Sequence, residues 1–213
     1  MSLLYNRRSF VSVLASLAGV AALRQESSAQ APARAATGQW DLTWFDAMKG
    51  RHKQMYDYGT WDLSEDTRPL RFVKNYLDTY RDVFGLQSPD VNTAVGISRA
   101  IAINLSDAMW QKYKIGERYK IVDPATKQPS VRNIFLSDGD TSVKAMQARG
   151  TVFWQCNVAL GLVSQQLAQT AGTQAADVRA DLLAGLNPGV QLVPSHVMAI
   201  GIAQEHGFTY MKT

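Results

Sequence analysis

The stretch Gly150-Thr-Val-Phe-Trp-Gln-Cys-Asn157 holds the single cysteine of a 213-residue chain, at a place where a strand pattern gives way to a helix pattern. Thr151 to Gln155 is a short β-branched and aromatic run behind a helix-stopping glycine. Asn157 is a good helix N-cap, and Ala159, Leu160, Val163 and Leu167 then recur at helical spacing. Cys156 is therefore expected at the carboxyl end of a strand and the amino end of a helix. Unpaired N–H groups and the positive end of a helix dipole meet there, and both favour an anion. A thiolate so placed is a nucleophile that can carry a persulfide or form a mixed disulfide. The competing reading is that Cys156 packs as a small hydrophobe, since free cysteine is among the most buried residue types.

The elements that must hold this residue can be read along the chain. His52 to Tyr58 alternates and ends at Gly59, which predicts a first strand with the preceding aromatic segment (Trp40, Trp44, Phe45) laid over the domain as an arm. Pro69, the stripe Leu70, Val73, Leu77, Tyr80 and Phe84, and the stop at Gly85 predict an amphipathic helix over 67–85. Val91 to Ile97 is a strand, and Ala100 to Ile103 its continuation or a turn. Ser106-Asp107 then cap a short helix. Residues 113–138 show little regular pattern, the mark of a lid, a binding loop, a subunit contact or a plain solvated excursion. Asp140 or Thr141 caps a helix closed by Gly150, the Cys156 strand follows, and its helix runs to about Thr170. A helix over 177–184, a strand over 189–193, a helix from Pro194-Ser195 to His206 and a last strand over 208–211 complete the chain. Strands and helices alternating at this spacing mean βαβ units, and so an α/β fold with a mostly parallel sheet between two helical layers.

Ligands of an open parallel sheet sit beyond the carboxyl ends of its strands. Tyr58 with Gly59, Asn104 with Ser106 and Asp107, Cys156 with Asn157, and Ser195 with His196 belong on that rim. Cys156 and His196 are the candidate catalytic pair, with an imidazole in reach of the thiol, and Asn104, Asn157 and Ser195 are candidate substrate-binding residues. The bland reading of His196 is a first-turn helix residue satisfied by solvent or backbone. His206 favours a helix end, and His52 lies at the opposite end of its strand. No histidine pair has metal-ligand spacing, and Gly59, Gly96 and Gly139 stand alone instead of forming a phosphate loop, so neither a metal nor an organic cofactor is expected. Asp138-Gly-Asp140 reads as a turn and cap.

Composition and the amino terminus bound where this chemistry would occur. With 46% apolar and 19% charged residues the chain has the make-up of a globular protein, and one domain over residues 36–213 suffices. Its formal charge of +4 falls to +2 without residues 1–31, which hold Arg7, Arg8, Arg24 and Glu26, so nucleic acid is not an expected partner. Asn6-Arg-Arg-Ser-Phe10, the uncharged stretch Ser12 to Leu23 and Ala29-Gln-Ala31 resemble a twin-arginine export signal. Pro32 is a poor neighbour for cleavage after Ala31, which moves the cut to Ala33 or Ala35. The resemblance implies a periplasmic protein that crosses the membrane folded. An uncleaved segment would be an anchor, but its apolar stretch of roughly 13 residues is short of the ~20 that span a bilayer comfortably.

Three segments in order, Val143-Lys-Ala-Met-Gln-Ala-Arg-Gly-Thr-Val-Phe-Trp-Gln-Cys-Asn-Val-Ala-Leu160, Leu186-Asn-Pro-Gly-Val-Gln-Leu-Val-Pro-Ser-His196 and Ala203-Gln-Glu-His-Gly-Phe-Thr-Tyr210, resemble the DsrE/DsrF-like family over roughly residues 50–213. The order carries the likeness: a helix ending Arg-Gly, a strand ending in cysteine, a Pro-Gly-Val strand ending Val-Pro, and a helix ending before a last strand. The resemblance implies a flavodoxin-like three-layer sandwich, assembly into trimers or hexamers, a protein partner, and Cys156 at the sulfur-carrying position. The export signal, the aromatic arm and the 113–138 segment depart from the family pattern. Two functions follow as expectations. One is a thiol-dependent sulfur-relay or redox-linked carrier acting through Cys156. The other is a non-catalytic binding or assembly subunit of a periplasmic or membrane-associated complex.

Overall fold

Five strands form one parallel sheet in the computed structural model, which describes residues 40–213. They are β1 (His52–Tyr58), β2 (Val91–Ile97), β3 (Val152–Cys156), β4 (Val190–Val193) and β5 (Thr209–Lys212), in the spatial order β4-β3-β2-β1-β5. All four pairings are parallel, so every strand ends on the same rim. The export-signal segment lies outside the described residues. Among the described residues no helix is long and apolar enough to cross a membrane.

The strand order decides where the helices go. From β1 to β4 each crossover steps the same way along the sheet, and the right-handed rule then sends all of them to one face. The last crossover runs back past the whole sheet to β5, and the same rule puts its helix on the other face. The packing agrees. Tyr56, Tyr58, Val95, Ile97 and Phe153 face a core shared with α2 (Arg71–Phe84) and α7 (Asn157–Ala171). Met55, Ala94, Trp154 and Val193, from the alternate strand positions, face a second core with Ala199 and Ala203 of α9 (His196–Glu205). Phe45 of the one-turn helix α1 (Trp44–Ala47) completes that second core. The result is an α/β flavodoxin-like three-layer sandwich. Strands buried on both faces read as continuous apolar runs, and β2 is buried at all seven positions.

The helix starts differ from expectation in two places. Ser142, not Asp140 or Thr141, caps the helix before β3, its hydroxyl accepting from Ala145 N at 3.2 Å. Cys156 itself, not Asn157, is the N-cap of α7, and Asn157 is the first helical residue.

Residues 113–138 also differ, being folded where little regular pattern was expected. They contain one-turn helices α4 (Ile115–Arg118) and α5 (Ile134–Ser137), an antiparallel bridge between Val122 and Pro129, and the buried side chains Ile115, Ile121 and Phe135. Asn133 ties the segment to the turn that follows β2. Its Nδ2 donates to the carbonyls of Ala102, Ile103 and Leu105 at 3.2, 3.1 and 2.6 Å. One amide thus reaches three carbonyls of that turn, of which Ala102 O also accepts from Trp110 Nε1 at 2.9 Å and Ile103 O from Asn187 Nδ2 at 3.1 Å. The short helices α3 (Asp107–Lys112) and α6 (Val143–Ala148), with α8 (Ala175–Ala184) against α7, fill out that layer.

Candidate functional site

Neighbouring strands β3 and β4 hand the chain to opposite faces of the sheet, β3 into α7 and β4 into α9. Such a divergence opens a crevice at the carboxyl ends, the place where open α/β sheets bind ligands. Cys156, the last residue of β3 and paired with Val193 of β4, stands in it. Its sulfur takes an N–H bond from each helix start: Ala159 N of α7 at 3.4 Å and His196 N of α9 at 3.3 Å. The first N–H groups of a helix have no partner inside the helix, so both are free to serve the sulfur. Two oriented donors and two positive helix ends suit a sulfur anion better than a neutral thiol. The residue is 4% exposed, so its side chain is nearly covered.

The imidazole of His196 does not face this sulfur. It lies across the back of the sheet between β3 and β1. Asp57, Gly96 and Trp154 occupy one cross-strand row, and the ring spans it. Trp154 Nε1 donates to His196 Nδ1 at 3.1 Å, and His196 Nε2 pairs with Asp57 Oδ1 at 2.6 Å. Indole N–H is only a donor, so Nδ1 accepts and the ring proton sits on Nε2, directed at Asp57. Gly96 makes room, because a β-carbon there would stand 2.7 Å from His196 Cε1 and 2.5 Å from Trp154 Cζ2. Gly59 does the same at the rim, where a β-carbon would lie 3.1 Å from Nε2.

Asp57 is the charged centre of this arrangement. Burial opposes its ionisation, but hydrogen bonds from His196, Tyr210 and Gly59 outweigh that and bring the carboxyl down to about 2. Tyr210 Oη donates to Oδ2 at 2.7 Å and Gly59 N donates to Oδ1 at 2.8 Å. Neither Asp57, Trp154 nor Gly96 is singled out by the sequence as a site residue. Two signals were there to be read: an acidic residue one place from the end of a buried strand, and a glycine inside a strand, which marks close approach of another group.

The remaining candidates fall in different places. Asn104 is fully buried beneath the rim in the turn Ile101–Asn104, where its Nδ2 donates to Trp154 O at 3.2 Å and Gln155 Oε1 at 3.1 Å while its Oδ1 has no partner. Asn157 accepts from Arg179 Nη2 at 2.5 Å, which sets a guanidinium beside the start of α7. Ser195 occupies the cap position of α9 without a side-chain cap bond. Tyr58 is spent on Pro69 O, and Asp107 on the Asn133 amide at 2.7 Å. His52 stacks on Tyr80, and His206 closes α9 through Ile202 O at 2.8 Å and Asp46 at 3.0 Å. Among the described residues no three His, Cys, Asp or Glu side chains gather as metal ligands would. A cavity of about 430 Å³ is lined by Lys112, Lys114, Arg118 and Leu167, among others, and by neither Cys156 nor His196. The surface flanking the crevice is apolar instead, with Val158 56% and Val197 74% exposed in the first turns of α7 and α9.

No family model and no curated protein matches the chain. Among solved structures, a protein of unknown function from Methanobacterium thermoautotrophicum is similar over 76% of this chain and 99% of its own, at 16% identity and a TM-score of 0.37. A likeness of that degree says nothing about chemistry.

Proposed function

We propose that the protein is an exported, DsrE-like sulfur carrier in which Cys156 holds sulfur as a persulfide and passes it between protein partners. The single observation that supports this reading is the convergence of two helix starts on Sγ, through Ala159 N and His196 N. In the transfer the Cys156 thiolate attacks the outer sulfur of a donor persulfide. A Cys156 S–S bond forms, the donor S–S bond breaks, and the donor leaves as a thiolate. Sulfur moves with no net oxidation, so no metal or organic cofactor is called for, and the reverse step unloads it onto an acceptor. Export through the twin-arginine signal would place this exchange in the periplasm, with a homo-oligomer as the working form.

The test is to incubate the purified protein with a protein or small-molecule persulfide and measure its intact mass. The expected result is one added sulfur atom, removed by a thiol reductant and absent from Cys156→Ser. An unchanged mass at every donor concentration sinks the proposal.

A second reading is favoured by a different observation. The sulfur is nearly covered, and Val158, Leu162, Val197 and Met198 turn apolar surface outward on both sides of it. A non-catalytic subunit that binds a partner or assembles through this face would look the same. Alkylation across pH separates the two, since a thiol inert in the folded protein at all pH values leaves only this second reading.

A further inference from the structure

We propose that Asp57 is a positioning residue for Cys156, anchoring the His196 ring across the sheet so that the His196 amide is aimed at the sulfur. The inference rests on the reading of Cys156 as a reactive thiolate and assigns His196 a part other than proton transfer. Both ring nitrogens are occupied, Nδ1 by the Trp154 indole and Nε2 by Asp57, so the imidazole has no free lone pair with which to take the thiol proton. What His196 offers the sulfur is its backbone N–H, at 3.3 Å.

That N–H belongs to the first residue of α9, where the chain turns out of β4 and the helix itself imposes no partner. The peptide plane that carries it is oriented by Ser195 O, which accepts from Ala199 N at 3.0 Å, and the ring holds that start of α9 against the sheet. The ring can cross β2 because Gly96 has no side chain. It is pinned at its far end because the Asp57 carboxylate is itself fixed by Gly59 N and Tyr210 Oη. A strand two places away from β3 thus sets a donor on the β3 cysteine. The anchor also explains why a carboxylate stands one residue from the end of β1, on a face whose other buried strand side chains are mainly apolar.

The experiment follows the rate of Cys156 alkylation by iodoacetamide against pH in the full chain, for the wild type, Asp57→Ala and Asp57→Asn, with a thermal melt of each to show that it is folded. Asn keeps an oxygen for the Nε2–H, whereas Ala keeps nothing. In Asp57→Ala the alkylation rate below its plateau falls roughly ten-fold, and the half-plateau pH rises by about one unit, because a donor to the thiolate is lost. In Asp57→Asn most of that loss is restored. Equal profiles for the wild type and Asp57→Ala overturn the proposal, as does a wild-type thiol inert at every pH. Failure of Asn to rescue a folded protein overturns it too, since the anchor would then not be the hydrogen bond. Persulfide loading is measured on the same samples. Shifted profiles without loading remove the sulfur-carrier reading and leave the positioning role, while loading with unshifted profiles does the opposite.

Discussion

Gly96 lies directly under the imidazole of His196: a β-carbon at residue 96 would come within 2.7 Å of the ring. The glycine sits between Asp57 and Trp154 in one cross-strand row, and its missing side chain is what lets a helix residue bridge two strands that are not neighbours. The row, the ring and the sulfur form one connected structure at the crevice.

Gly96→Ala should therefore cost more than a surface substitution. The methyl would overlap both the His196 ring and the Trp154 indole, at 2.7 and 2.5 Å, and neither can move without giving up a hydrogen bond. Overpacking of this kind costs about 1–3 kcal/mol, which in a domain of this size is a fall of roughly 2–10 °C in melting temperature. Thermal unfolding followed by near-UV circular dichroism would report both the loss and the disturbance of Trp154.

Acid should weaken the fold in a defined window. The Asp57 carboxyl is held at about 2, below the ordinary 3.8. A depressed carboxyl contributes stability that is fully present above the unfolded value near 4 and is lost as pH falls through 2. Urea unfolding at pH 5, 4, 3 and 2 should show the wild type losing more stability over that span than Asp57→Asn, whose side chain does not titrate. Parallel losses in the two proteins would assign the acid sensitivity to other carboxyls.

Asn133→Ala should loosen residues 113–138. It takes the Asn133 donor from Leu105 O and removes the acceptor for Phe135 N at 2.9 Å, while Ala102 O keeps Trp110 Nε1 and Ile103 O keeps Asn187 Nδ2. Leaving buried groups unpaired costs about 1–3 kcal/mol for each, so the two groups together should cost about 2 kcal/mol or more. Limited proteolysis should find new cleavage sites confined to this segment while the sheet remains protected.

Cys156→Ser should separate chemistry from folding. The sulfur caps α7 by accepting from Ala159 N, and a serine hydroxyl is a better cap than a thiol. The variant is expected to melt close to the wild type, with a stability change within about 1 kcal/mol, while losing all sulfur loading. Intact-mass measurement and a thermal melt on one preparation check both halves.

The amino-acid sequence determined the local structure closely. The strand His52–Tyr58 follows from an alternation ending at Gly59, Val91–Ile97 from a run rich in β-branched residues, and α2 from an apolar stripe stopped by Gly85 in the left-handed conformation. It also placed Cys156 at a strand-to-helix junction, because a change of apolar period is a local signal. The short helices within 113–138 were not legible, since each is a single turn held by Asn133 and by burial of scattered side chains, and one turn has no period to detect.

Only the tertiary structure decided what surrounds the sulfur. The strand order β4-β3-β2-β1-β5 sends α7 and α9 to opposite faces and so brings two amide donors to one atom. It also sets Asp57 and Trp154 on either side of Gly96, close enough for one imidazole to bond both. These partners are 97 residues apart in the chain and share no pattern that spacing could show. Propensity and hydrophobic period act over a few residues, whereas the register of parallel strands joined by long crossovers is settled only when both faces of the sheet are packed.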